Sequence, residues 1–429
     1  MTLNNYINKV INLLITRGAG VFLSFIVSIY LARYFGAETT GKYYLFISIL
    51  MGLSIFSKLG FNGSLIKYCA QYTLPNEKEH IRGYWYTALK ISLTACILII
   101  TISFSTNYLF PLKHYFQFNE NILIYTFLSL IPFTLVGHNV AVLIGLNKQN
   151  NAAITENVAP PLIFLCISAV LYILIPNQEN ILLIYTASIT IVFVISTIAL
   201  WKTLHSNNST ISADSKKLIK TSKPILAINL TNFFTDWSAT FILAIYGTLQ
   251  QIGIYNISWR LITIMGILLL IFNNINAPKY SMDFKNNNLN NIDITARQTS
   301  MILFWLALPI ILLIILFADN IMLIFGTEFI AGAPILQILA VGQLFNFSTG
   351  SVGYLLLMTG HEKHLKNITI FICITQIIAM IVFIPKYGIY AAAIITSISI
   401  TMKSIITAYI AYKKLGILSL PIPRKREIL

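Results

Sequence analysis

Charge is scarce in this chain, and acidic charge most of all. Among 429 residues there are 14 Asp and Glu against 29 Lys and Arg, and the four charged types together make up only 10%. A soluble globular domain carries roughly 25%, so a water-facing surface cannot be built from this composition. Catalytic constellations are missing as well. No hydrolytic triad, close pair of carboxylates or glycine-rich phosphate loop occurs. The two sizeable outside loops, near Asn107 to Glu120 and Asp319 to Ala333, are short and poor in candidate nucleophiles, which argues against an enzyme. Cysteine is sparse too: Cys69, Cys96, Cys166 and Cys373 stand singly in apolar runs, with no CxxC pair and no metal-ligand spacing, and read as small packing residues. His361 and His364 in GHEKH share a polar turn with Lys363 and Lys366, which reads as a solvated turn. No metal and no cofactor is expected.

What is abundant is hydrocarbon: 57% of the residues are hydrophobic and the mean hydropathy is +0.77. Runs of about 20 apolar residues, each long enough to cross a bilayer as a helix, repeat along nearly the whole chain. Twelve spans are expected, at 10–32, 43–67, 84–106, 121–146, 152–175, 180–201, 224–247, 253–276, 297–318, 334–359, 366–384 and 388–412. The first run exceeds a signal-peptide core and has no small-residue cleavage site after it, so it is expected to stay as the first span. The fold class implied is an all-α polytopic membrane protein, with about 12 transmembrane helices in two six-helix lobes around a central cavity. The expected divisions are an N-terminal lobe at 1–203, a cytoplasmic linker at 204–222, a C-terminal lobe at 223–414 and a basic tail at 415–429.

The net charge of +15 points to orientation rather than to nucleic acid, because the basic residues lie in short loops between apolar runs. With both termini cytoplasmic, nineteen basic residues fall inside and four outside, Arg33, Lys42, Lys113 and Lys386. That asymmetry fits an even number of crossings. The halves also look related: Gly41, Tyr43, Lys67 and Tyr68 recur at the same spacing as Gly253, Tyr255, Lys279 and Tyr280, an offset of 212. Gly145 and Lys148 recur as Gly360 and Lys363. Copies of six spans each share one topology, the parallel-repeat arrangement.

Polar groups inside spans mark candidate function, because a charge in hydrocarbon costs at least a few kcal/mol and normally faces protein or water. At 100° per residue, Asn229, Asn232, Asp236 and Thr240 share one face of the seventh span, and Asn256, Arg260 and Thr263 one face of the eighth. Arg17 shares a face with Gly20, Ser24 and Ser28, positions that suit either close helix packing or a cavity wall. Lys58 has Ser54 one turn before it and Asn62 one turn after. Lys67, Lys90 and Lys403 lie nearer cytoplasmic ends and read as snorkelling anchors. Asp236 sits near mid-span with no long stem, and is either ion-paired with Arg17, Lys58 or Arg260 or binds a coupling ion. Weighing these six bases against Asp236 favours an anionic passenger, such as a phosphate-bearing lipid. The candidate substrate-binding set is therefore Arg17, Lys58, Arg260, Asn229, Asn232 and Asn256.

Several stretches carry a resemblance: RYFGAETTGKYYLFISI, KLGFNGSLIKY, TDWSATFILAIYGTLQQIGIYNISWRLI and FGTEFIAGAPILQILAVGQLFN with GYLLLMTGHEKH. Together they resemble the multidrug/oligosaccharidyl-lipid/polysaccharide exporter superfamily, most of all its Wzx-type O-antigen and polysaccharide flippases. The resemblance implies movement of an undecaprenyl-diphosphate-linked oligosaccharide from the cytoplasmic to the periplasmic leaflet of a bacterial inner membrane by alternating access. Its implied partners are the lipid-linked oligosaccharide, membrane lipids and other polysaccharide-assembly membrane proteins. The family's deep acid falls on Asp236, and its Gly-x-Tyr opening of span eight on Gly253 and Tyr255. Lys58 departs from it, since the family often has a small or acidic residue there. The rival readings are an ion-coupled multidrug or cation antiporter, which would need a more acidic cavity, and a membrane-embedded polysaccharide polymerase or ligase, which would need a substantial periplasmic loop.

Overall fold

A computed structural model describes residues 3–72, 78–109, 120–174, 180–204 and 215–421. Most of the expected linker (205–214), most of the basic tail (422–429) and the loop holding Lys113 lie outside the described residues. Every described regular element is helical, as hydrocarbon requires of a chain whose backbone polar groups must be satisfied within each crossing.

The helices are α1 Leu3–Lys58, α2 Phe61–Cys69, α3 Lys78–Leu109, α4 Glu120–Gly145, α5 Gln149–Ala153, α6 Ala159–Leu174, α7 Ile181–Leu204, α8 Ser215–Tyr246, α9 Leu249–Lys285, α10 Leu289–Leu316, α11 Ala318–Leu323, α12 Ala333–Thr349, α13 Val352–Met358 and α14 Glu362–Leu415. A π-turn, Ile154–Val158, joins α5 to α6, and a 3₁₀ segment, Thr327–Gly332, precedes α12. Among the described residues nine helical segments are long and apolar enough to cross a membrane. Two of them are bent pairs: α1 turns at Gly36 (φ 74°) and α14 at Gly388 (φ 55°), backbone conformations that glycine adopts at little cost. The protein is an all-α, multi-pass membrane protein. Its helices expose apolar side chains as a lipid-facing surface would: α10 presents Ile302, Trp305, Leu312, Leu313 and Leu316 while burying Leu303, Ala307 and Ile311.

The structure differs from the expected spans in three places. The second span is not one helix, because α1 stops at Lys58 and α2 starts at Phe61 after left-handed residues Leu59 and Gly60. The tenth span also breaks, at Gly350 (φ 62°, ψ −139°), between α12 and α13. The basic stretch from Lys216 to Lys223 is helical rather than linker, since α8 starts at Ser215.

The chain forms two compact units, one of residues 1–35 and 42–233 and the other of 36–41 and 234–429. The first packs α2, α3, α4 and α7 around Phe61, Leu65, Trp85, Val136 and Leu200. There Trp85 donates to the Asn139 side-chain oxygen at 3.0 Å, and the Asn139 amide donates to Ser196 and Thr197, each at 2.9 Å. The second has a cluster of Tyr280, Ile292, Val352, Leu355 and Ala411. Within it, Asn276 and Tyr280 both bond Ser351, beside the Gly350 break.

Equivalent bonds recur at the offset of the sequence repeat. In the first unit Ser28 bonds Tyr44 at 3.0 Å; in the second Thr240 bonds Asn256 at 3.1 Å, each residue 212 positions later. A reciprocal contact in the second unit has the same offset. A Cβ on Gly41 would overlap the Leu249 carbonyl, and one on Gly253 would overlap the Ala37 carbonyl. These observations support the expected duplication.

Candidate functional site: charges held within the membrane helices

In the first unit the site is built around a broken helix. Leu59 (φ 50°) and Gly60 (φ 76°) take the left-handed conformation, which costs a non-glycine residue such as Leu59 about 1–2 kcal/mol. The break frees Lys58, the last residue of α1, to lie against α4. Its ammonium stands 4.3 Å from the Phe133 ring centroid. The stem crosses Gly137, where a Cβ would come 2.7 Å from Lys58 Cε and 3.2 Å from the Asn62 amide. A larger residue at 137 would have to displace the lysine stem. Asn62 Oδ1 lies 2.9 Å from Nδ1 of His138, whose Nε2 lies 2.7 Å from the Ser92 hydroxyl. His138 is wholly buried, with both ring nitrogens engaged, so it fixes Asn62 beside the lysine. The geometry fits Lys58 as an internal cation and not as an anchor reaching the headgroups.

Glu156, on the π-turn, supplies a negative charge that acts on Lys58. The sequence reading passed over it, although position 156 lies inside the expected fifth span. His138 was also missed; a lone histidine in an apolar run carries no spacing signal.

In the second unit Asp236 lies on α8, solvent-reachable, between two residues held by Gln376. Gln376 donates to the Thr235 carbonyl at 3.0 Å and to the Ser238 hydroxyl at 3.1 Å. The opposing charge that acts on Asp236 in this unit belongs to Lys403. Lys403 is half-buried on α14. Among the described residues the two form no direct ion pair, so the coupling is through space.

The remaining candidates are dispersed. Arg17 is exposed on α1, and two small residues on its face serve packing: a Cβ on Gly20 would come 2.6 Å from Asn157 Cβ, and Ser28 bonds Tyr44. Asn229 and Asn232 are exposed on α8, and Arg260 is half-buried on α9. Asn256 is only 4% exposed, with its amide donating to the Ile252 carbonyl at 2.9 Å and to Thr240. It is engaged in packing rather than presented to a ligand. His361 and His364 stack at 6.2 Å, and among the described residues no cluster of three metal-ligating side chains occurs.

Residues 7–281, well over half the chain, match the family described as "Polysaccharide biosynthesis protein". The chain belongs to that family. Over 197 residues the chain is 22% identical to the probable low-salt glycan biosynthesis flippase Agl15 of Haloferax volcanii. That match covers 46% of the chain and 42% of the curated relative, so it spans less than half of Agl15. Solved structures share the fold across nearly the full length. The lipid II flippase MurJ, in an inward closed conformation, superposes with a TM-score of 0.72 at 15% identity, over 96% of this chain and 90% of that one. An inward-facing multidrug resistance MATE family transporter of the MOP superfamily gives 0.69 at 14% identity over 94% of both. A MOP superfamily transporter from Pyrococcus furiosus gives 0.62 at 15% over 95% of both. At these identities the likeness is one of fold.

Proposed function

We propose that the protein is a flippase that carries a polyprenyl-diphosphate-linked oligosaccharide across the membrane by alternating access. The cargo proposed is an undecaprenyl-diphosphate-linked repeat unit of an O-antigen or related polysaccharide, moved from the cytoplasmic to the periplasmic leaflet of a bacterial inner membrane. The proposal includes twelve crossings, six in each half, with both termini cytoplasmic. Family membership supports the glycan pathway, and the fold supports transport over polymerisation. The observation that carries the reading is Lys58, an ammonium held on the face of Phe133 inside the membrane-embedded helices. In this reading Lys58, with Arg17 and Arg260, meets the diphosphate, and Asn229 and Asn232 meet the glycan. The polyprenyl tail stays in lipid, because withdrawing each CH₂ from hydrocarbon costs about 0.8 kcal/mol.

The test is complementation of cells that lack their own flippase. Lys58→Ala, at normal protein level, is expected to lose most surface polysaccharide; normal polysaccharide would remove Lys58 from the mechanism. One observation favours the rival antiporter reading: Asp236 is an exposed carboxylate within the expected seventh span, open to a coupling cation. Survival on cationic dyes with and without the gene separates the two, and the flippase reading expects no difference.

A further inference from the structure

Lys58 raises a question that its role in binding leaves open. A cation among membrane helices is costly at every stage at which no anion faces it. A transporter spends part of its cycle empty, so an internal anion has to stand in when cargo is absent. Asp236 and Lys403 belong to the other unit, and the carboxylate acting on Lys58 is that of Glu156.

The placement of Glu156 is built into the local fold. It lies on the π-turn Ile154–Val158, a five-residue departure from α-helical register of the kind that recurs at functional sites. The turn packs against α4, the helix whose Phe133 and Gly137 hold Lys58. It is fixed on its other side by α1, where Gly20 lets Asn157 approach so closely that a Cβ on Gly20 would come 2.7 Å from the Asn157 carbonyl oxygen. Glu156 therefore sits on a turn that packs against α4, the helix that carries Phe133 and Gly137, and is itself exposed.

We propose that Glu156 is the resident counter-charge of Lys58 and that an arriving diphosphate displaces it. This rests on the cargo reading above and deepens it. A single carboxylate neutralises the ammonium loosely, whereas a diphosphate brings more charge and more acceptors, so it wins the exchange. A singly charged carboxylate or a neutral glycolipid does not. Glu156 thus acts as a specificity filter, lowering affinity for every anion while admitting only the strongest. It is a positioning residue that works through Lys58.

The experiment uses the purified full chain in lipid nanodiscs, with farnesyl diphosphate as the probe and farnesol as the uncharged control. Four forms are compared: wild type, Glu156→Gln, Lys58→Met and the double variant. Glu156→Gln is expected to bind farnesyl diphosphate about fivefold more tightly, the low end of a typical coupling. Lys58→Met is expected to lose the preference over farnesol, and adding Glu156→Gln to it is expected to change nothing. Without probe, the melting shifts of the two single variants should fail to add, because they remove one interaction between them. Unchanged or weaker binding by Glu156→Gln, or additive melting shifts, would overturn the proposal. If wild type binds farnesyl diphosphate no better than farnesol, the cargo reading and the displacement step both fall. Non-additive melting would then show that the pair exists without that cargo.

Discussion

Lys58 holds its place through three neighbours of different kinds, and two of them make separate predictions. Phe133 offers its ring face, a contact worth about 0.5–2 kcal/mol depending on desolvation. Phe133→Leu keeps the apolar bulk and removes the π-face, so export in complementation should fall severalfold with little change in melting. Gly137 provides clearance, and Asn62 is fixed by His138. Replacing His138 with Ala would leave buried groups on Asn62 and Ser92 unpaired, at about 1–3 kcal/mol for an orphaned polar group, besides opening a cavity. The expected outcome is a lowered melting temperature even before transport is measured. Much of this was legible from Ser54 and Asn62 flanking Lys58 at helical spacing. What spacing could not reveal was whether polar groups on one face satisfy each other. Asn256 and Thr240 were both read as facing a passage, yet they bond one another. Glu156 was legible as an acid inside the expected fifth span, and what the sequence hid was the π-turn that carries it.

At the scale of elements, the long apolar runs located the crossings, and the breaks within them were hidden. A left-handed Leu59 has no sequence signature, and Gly60 and Gly350 look like the other glycines that stud these helices. The bend at Gly36 has a partner that shows how such breaks are sustained. The Ala37 N–H, left without a helical acceptor, donates to the Glu328 carboxylate at 2.8 Å. Glu328 lies in the 3₁₀ segment, in what the sequence suggested was only a short outer loop. Losing such a cap costs about 0.5–2 kcal/mol. Glu328→Ala should therefore lower the melting temperature and speed hydrogen exchange at the amides just after Gly36, while exchange in α4 stays unchanged. Equal exchange at both places would show that the cap does not hold the bend.

At the scale of the whole chain, the offset of 212 seen first in Gly-x-Tyr patterns reappears in hydrogen bonds and in the reciprocal contact of Gly41 with Gly253. Reciprocity makes a quantitative demand. A methyl group at either position must force the same two backbones apart, so Gly41→Ala and Gly253→Ala should each destabilise by about 1–3 kcal/mol, the range for overpacking. Closely similar drops in melting temperature would support the shared origin of the contact, and a large inequality would contradict it. Fold and family were the most legible part, because hydropathy and charge leave few architectures open to such a chain. The site was less so, because only three-dimensional contacts separate a packing asparagine from a binding one.

The central claim is that this protein moves a lipid by its diphosphate-linked glycan, and Lys58 is its test. The direct measurement reconstitutes the full chain in proteoliposomes and follows a fluorescent prenyl-diphosphate-linked oligosaccharide from one leaflet to the other. Wild type should speed transfer of this lipid and not of the same glycan on a phosphate-free prenyl chain, and Lys58→Ala should slow it about tenfold or more, as loss of a charge-assisted bond implies. Transfer at the bare-liposome rate, or equal transfer of the phosphate-free lipid, would contradict the account.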